Sequence, residues 1–281
     1  MANRASLLFQ ELSRTELSAV IQAHFPHAEV IDYSLCDGGL FNTTYRVELL
    51  EKNHFLVILR LGPVHREVLM GYEHDMMKTE AHISSLMHQH GIPTSEVLIV
   101  NCKRDLVDRD YMITRYIEGI AFSGAQMDSA ARFAIEKECG KYLRRMHEIK
   151  APGFGRATDV LFGKGYPDFF TSLFAEFDDL CRKSSVDGFF TKEECDEICS
   201  AIMRHKEVLV KCNSPVLCHG DMWSGNVLVA REKSCVSKTD GKYSLAAIID
   251  VDRAYFGDCD FDLGNPWILS DAFLEGYGIT R

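Results

Sequence analysis

The sequence predicts an α+β protein in two lobes, a small antiparallel sheet lobe followed by a larger, mainly helical one. Three observations carry that expectation. Short apolar runs broken by glycine and proline turns fill the first part of the chain, and helix-period segments take over after Gly119. In addition, at 281 residues a single core begins to split, which fits one large domain or two lobes. The order reads as a sheet lobe with a covering helix over 1–115 and a helical lobe over 116–281.

Each element follows from local signals. Ser13-Arg14-Thr15-Glu16 is a capping box, Leu17, Val20, Ile21 and His24 continue one helical face, and Pro26 ends it. Val30 to Cys36 and Asn42 to Leu49 are strands joined through Asp37-Gly38-Gly39, and Phe55 to Leu61 is a third, closed by Gly62-Pro63. Such a sheet needs a cover, which Met76 to His90 can supply through a stripe of Met77, Ala81, Ser84 or Ser85, and His88 before Gly91-Ile92-Pro93 stops the helix. A further strand pair is expected at Val97–Val100 and Tyr111–Arg115. Helices are expected over Ala130–Ile149, Pro167–Cys181 and Lys192–Val210. Short strands return at Val216–Cys218, Val227–Ala230 and Leu245–Ile249, with a polar loop over Arg231–Ser244.

Charge narrows the function. Lys and Arg total 31 against 41 Asp and Glu, a formal charge of −10, so non-specific binding to nucleic acid or anionic lipid is not expected. No apolar run is long enough to span a membrane, and Met1 to Gln10 lacks the core of a secretory signal. Ten scattered cysteines without a C-x-x-C pair read as free thiols in a reducing compartment, which places the protein in the cytoplasm; a monomer or a homodimer is expected. His82, His88 and His90 do not share the face that a paired metal site needs.

The strongest chemical signal is His219-Gly220-Asp221-Met222-Trp223-Ser224-Gly225-Asn226 between two short apolar runs, followed by Ile248-Ile249-Asp250 at the end of the next. An Asp and an Asn five positions apart, with a later Asp, suit a base that deprotonates a hydroxyl and oxygen ligands for Mg²⁺. Protein kinases use the same spacing. A plain hairpin turn in which Asp and Asn bond their own backbone is the alternative. No G-x-x-x-x-G-K-[ST] is present, so a P-loop is not supported.

Together with Ile249-Asp250-Val251-Asp252 and Gly257-Asp258-x-x-x-Asp262-Leu263, this motif resembles the aminoglycoside phosphotransferase and choline kinase family. The likeness extends upstream to Gly38-Gly39-Leu40-Phe41-Asn42-Thr43-Thr44-Tyr45, to Leu59-Arg60-Leu61 and to Glu80, so it spans about Cys36 to Leu263. It implies a bilobal protein-kinase-like fold and transfer of the γ-phosphoryl of ATP, or GTP, to a hydroxyl of a small-molecule acceptor. By the same resemblance Asp221 is the base and Asn226 and Asp250 hold Mg²⁺. Gly38, Gly39 and Asn42 belong to the phosphate turn, Arg60 pairs with Glu80, and Arg115, Tyr116 and Ile117 form the connector beside the adenine. His219, Asp258 and Asp262 read as residues that fix loops. The aromatic segment between Pro167 and Val210 either frames the acceptor or packs the lobe. Relatives usually continue with further helices beyond the point where this sequence ends, 19 residues after Asp262, so either the helical lobe is shortened or residues are missing. Alternatives are a fructosamine- or choline-kinase-like enzyme, or a non-catalytic nucleotide-binding protein on the same fold, to which Arg60 in place of the usual lysine points.

Overall fold

A computed structural model of the chain describes residues 8–36, 41–231, 243–264 and 269–279. The elements begin with α1 (Arg14–His24), β1 (Glu29–Leu35), β2 (Thr43–Leu50), β3 (His54–Leu61), α2 (Met76–Gln89), β4 (Val97–Asn101) and β5 (Tyr111–Arg115). They continue with β6 (Ile120–Ala121), α3 (Ser129–Met146), β7 (Gly155–Arg156), α4 (Ala157–Leu161), α5 (Phe169–Val186), α6 (Lys192–Arg204) and α7 (Lys206–Leu209). The last are β8 (Val216–Cys218), β9 (Val227–Arg231), β10 (Tyr243–Ile248), β11 (Tyr255–Gly257), α8 (Asp260–Leu263) and α9 (Asp271–Tyr277). They divide into two compact units, Met1–Leu69 with Ser95–Ile117, and Met70–Thr94 with Glu118–Arg281.

The first unit is one antiparallel sheet in the order β1-β2-β3-β5-β4, so the two strand groups read from the sequence join. Strict alternation on β2 buries Thr43, Tyr45, Val47 and Leu49, and the register opposes them to Leu61, Leu59, Val57 and Phe55 on β3. Helix α1 covers that face. Leu17, Val20 and Ile21 are fully buried in the same core, each contributing roughly 1.5–3 kcal/mol by burial. Its capping box forms, with Glu16 Oε2 accepting from Ser13 N at 2.8 Å and Ser13 Oγ from Glu16 N at 3.3 Å. Arg109 is buried and held by neutral oxygens. Its guanidinium donates to the carbonyls of Gly62 and Gln10, both at 2.6 Å, and to Thr43 Oγ1 at 2.7 Å. Burial lowers its pKa to about 10.

The second unit has a larger core, and α2 belongs to it. Ile83 and Met87 are fully buried there beside Leu143, Met146 and Ile248. Met77 and Ser84 of the expected stripe are buried, and the inward face also takes in Met76, Glu80, Ile83 and Met87, whereas His88 is exposed, as are His82 and His90. The expected helix over 192–210 breaks at His205, whose backbone (φ −100°, ψ 7°) separates α6 from α7. Helices α3 and α9 pack backbone to backbone. A Cβ on Gly140 would lie 2.0 Å from Phe273 O, and one on Gly276 1.9 Å from Lys137 O, so only glycine permits this approach. Two three-stranded sheets, β10-β9-β6 and β7-β11-β8, complete the unit. Among the described residues no helix is long and apolar enough to cross a membrane.

Candidate active site

Strand β8 ends at Cys218 and β9 begins at Val227, and His219 to Asn226 form the tight loop between them. Gly220 sits at φ +79°, and a Cβ there would lie 2.4 Å from Arg253 O, so the loop packs against the Asp252–Arg253 turn only with glycine at this point. Asp262, buried at the tip of α8, accepts the N–H of His219 at 2.7 Å and of Gly220 at 2.9 Å, one on each carboxylate oxygen. Behind it, His147 Nε2 meets Asp262 Oδ2 at 3.0 Å and His147 Nδ1 meets the Tyr277 hydroxyl at 2.6 Å. A hydrogen-bonded chain from α9 through the end of α3 thus holds the loop.

The fully buried His219 is itself fixed. Its Nδ1 accepts the Asp221 N–H at 3.3 Å, which puts the ring proton on Nε2, where it reaches the Ile249 carbonyl at 3.1 Å. Asn226 turns its amide N–H onto Asp221, at 2.8 Å from the carbonyl and 3.2 Å from Oδ2. Its backbone carbonyl accepts from Ile249 N at 2.9 Å, tying the loop to the segment before Asp250. Asp250 follows in a left-handed conformation, φ 65° and ψ 51°, which Asp tolerates better than most residues. Its carboxylate, that of Asp252 and that of the buried Glu80 on α2 bring one oxygen each within 4.8 Å of one another. With Asn226 this is an all-oxygen set of donors, which suits a hard cation such as Mg²⁺ and not a soft one.

Burial raises the pKa of Asp221 above the ordinary carboxylate value. The Asp250 charge adds to the shift, whereas the Arg253 charge and the Asn226 N–H pull it back. Arg253 stands over the Tyr72 ring, 6.0 Å from its centroid, and Arg156 at 4.5 Å. A cavity of about 180 Å³ opens on the other flank of the loop, against Trp223, Ser224, Arg132 and Phe273.

In the first unit, Arg60 lies on the sheet face opposite the core, cross-strand from Thr44 and Met112. The Asn42 side-chain oxygen, with the amide oriented toward it, accepts from Arg60 Nη2 at 2.6 Å and Nε at 2.9 Å. Arg115 pairs with Glu96 at 2.5 Å, and the N–H groups of Arg115 and Tyr116 donate to the carbonyls of Glu96 and Leu56. Gly38 and Gly39 lie outside the described residues.

Sequence reasoning missed His147, Tyr277, Tyr72 and Arg253. Their signal is spatial, since His147 and Tyr277 stand far from the motif along the chain and meet it only through the packing of α3 and α9. The group of His147, Cys218 and Asp262 has the spacing of a metal site. Its atoms are spent on the contacts above and on the Cys218 thiol's bond to Asp258 O at 3.2 Å, so it acts as a lock.

This loop and oxygen cluster, on a kinase-like fold, are the arrangement of a phosphotransferase. Residues 32–280 match the model of the phosphotransferase enzyme family, and the chain belongs to that family. Among curated proteins nothing matches. Solved structures share the fold. The gentamicin complex of the aminoglycoside phosphotransferase APH(2'')-IIa aligns with a TM-score of 0.63 at 15% identity over 96% of this chain and 82% of that one. The ADP-bound APH(2'')-Ib gives 0.62 at 15% over 95% and 82%. The macrolide 2'-phosphotransferase MphH of Brachybacterium faecium gives 0.55 at 12% over 95% and 84%.

Proposed function

We propose that this protein transfers the γ-phosphoryl group of ATP, with GTP as the alternative donor, to a hydroxyl of a small molecule in the cytoplasm. The observation that carries the reading is Asp221 held by the Asn226 amide beside the oxygen cluster at Asp250, because a loose phosphoryl-transfer transition state is served mainly by positioning and charge neutralisation. Asp221 accepts the proton of the acceptor hydroxyl, and its raised pKa makes it a better proton acceptor than an exposed carboxylate. Asn226 donates through Nδ2 and so keeps Oδ1 for Mg²⁺, with Asp250 as the second ligand. Bound there, Mg²⁺ neutralises charge on the nucleotide phosphates. Gly38, Gly39, Asn42 and Arg60 serve those phosphates, and Glu80 stands with Asp250 and Asp252 in the oxygen cluster. Because Arg115 and Tyr116 spend their N–H groups within the sheet, contact with the adenine edge falls to Ile117 N–H and the connector carbonyls.

Neighbouring structures carry ADP or GDP and, in two cases, gentamicin or kanamycin, which supports nucleotide use and a polar, hydroxyl-bearing acceptor. The test is Mg²⁺- and nucleotide-dependent ADP or GDP release against aminoglycosides, macrolides, choline, homoserine and amino sugars. Acceptor-dependent release that disappears in Asp221→Asn is the expected result. Silence across the panel, without a nucleotide-induced rise in melting temperature, would overturn it.

A further inference from the structure

We propose that Cys181 on α5 and Cys199 on α6 form a reversible disulfide on exposure to a peroxide-class oxidant, a modification site independent of nucleotide and acceptor. Helices α5 and α6 meet closely where the thiols lie. The Cys195 thiol donates to the Cys181 carbonyl at 3.5 Å, and the Cys181 thiol reaches the Cys195 carbonyl at 4.0 Å. Cys195 and Cys199 are four residues apart on one face of α6, and the Cys181 thiol feels both of them. Cys181 therefore stands between two thiols on the opposite helix, close enough for side-chain rotation to bring a sulfur pair to bonding distance.

Exposure decides which pair reacts. Cys181 and Cys195 are buried, 6% and 8% exposed, whereas Cys199 is half-buried and open to a small oxidant. The Cys199 thiolate attacks a peroxide oxygen, the O–O bond breaks, and water leaves after protonation, giving a sulfenic acid. The Cys181 thiol then forms the S–S bond, and the sulfenic oxygen leaves as a second water carrying the thiol proton. Two electrons pass from the two thiols to one peroxide. Burial raises the Cys181 thiol well above its usual value, so it is a poor nucleophile toward outside reagents. Toward a sulfenic acid already in contact, proximity offsets that handicap.

The experiment exposes the full-length protein to graded hydrogen peroxide, blocks remaining thiols under denaturing conditions, and reads intact mass and non-reduced tryptic peptides. The expected product has lost two hydrogens, joins peptide 165–182 to peptide 193–204 through Cys199, and reverts with dithiothreitol. Cys195→Ser should retain the cross-link and Cys199→Ser should abolish it. The half-buried position of Cys199 keeps that variant folded, which circular dichroism would verify. A cross-link that survives in Cys199→Ser, or Cys199 carried to sulfinic acid without a cross-link, would overturn the proposal.

Discussion

At Asp221 one carboxylate faces opposing demands. Burial and the Asp250 charge favour its neutral form, while Arg253 and the Asn226 amide favour the anion that a base requires. Because the folded pKa is raised, this group's favourable contribution to stability is full below the unfolded carboxylate value and is lost as pH rises through the folded one. Asp221→Asn should therefore abolish phosphotransfer yet leave the melting temperature at neutral pH equal or higher, with the gain shrinking as pH falls toward the ordinary carboxylate range. A melting temperature lowered at neutral pH would contradict this account. The same balance sets the acid limb of activity. Removing a positive charge near the base raises its pKa further, so Arg253→Gln should move the acid limb of kcat/KM to higher pH. A limb that stays in place, or moves down, would show that the Arg253 charge does not reach the base. Asp262 acts at a distance from the chemistry. In Asp262→Ala the N–H groups of His219 and Gly220 lose their acceptors, at a cost on the order of 3 kcal/mol. With the loop loosened, kcat should fall more than nucleotide affinity, which steady-state kinetics alongside nucleotide titration would separate.

At the scale of elements, the loop is held by how two helices meet. Gly140 and Gly276 bring α3 against α9, and Tyr277 on α9 then reaches His147 just past the end of α3. A methyl group at either glycine meets backbone at about half of a normal contact distance, so the helices must part. Gly140→Ala should cost about 1–3 kcal/mol or more as overpacking and should also lower kcat through the Tyr277–His147–Asp262 chain. Chemical denaturation and kinetics would read the two effects, and an unchanged midpoint would show that the helices yield freely. This dependence was not legible in the sequence, where Gly140 interrupts a helical pattern without a visible partner. Alternation on β2, the capping box of α1 and the Asp221–Asn226 spacing were legible because each is written within a few consecutive residues. On α2 the sequence placed Met77 and Ser84 inward, as found, and added His88, which is exposed, while Ile83 and Met87 were left out of the stripe.

At the scale of the whole molecule, two units make up the chain. Each unit has its own buried core, so each has its own source of stability, and a ligand that binds the folded protein and not the unfolded chain adds to it. Mg·nucleotide present at about a hundred times its Kd should add roughly 2.7 kcal/mol to the folded state. Thermal unfolding with Mg·ATP and Mg·GTP in parallel would rank the two donors by the size of the shift. Arg60→Ala and Asp250→Ala bear on different units, and each should shrink that shift, the second most strongly when Mg²⁺ is present. If Asp250→Ala loses the Mg²⁺-dependent part and Arg60→Ala keeps the whole shift, the oxygen cluster holds the metal and the arginine does not serve the phosphates. If both variants keep the full shift, nucleotide binds elsewhere and the proposed phosphate site is wrong.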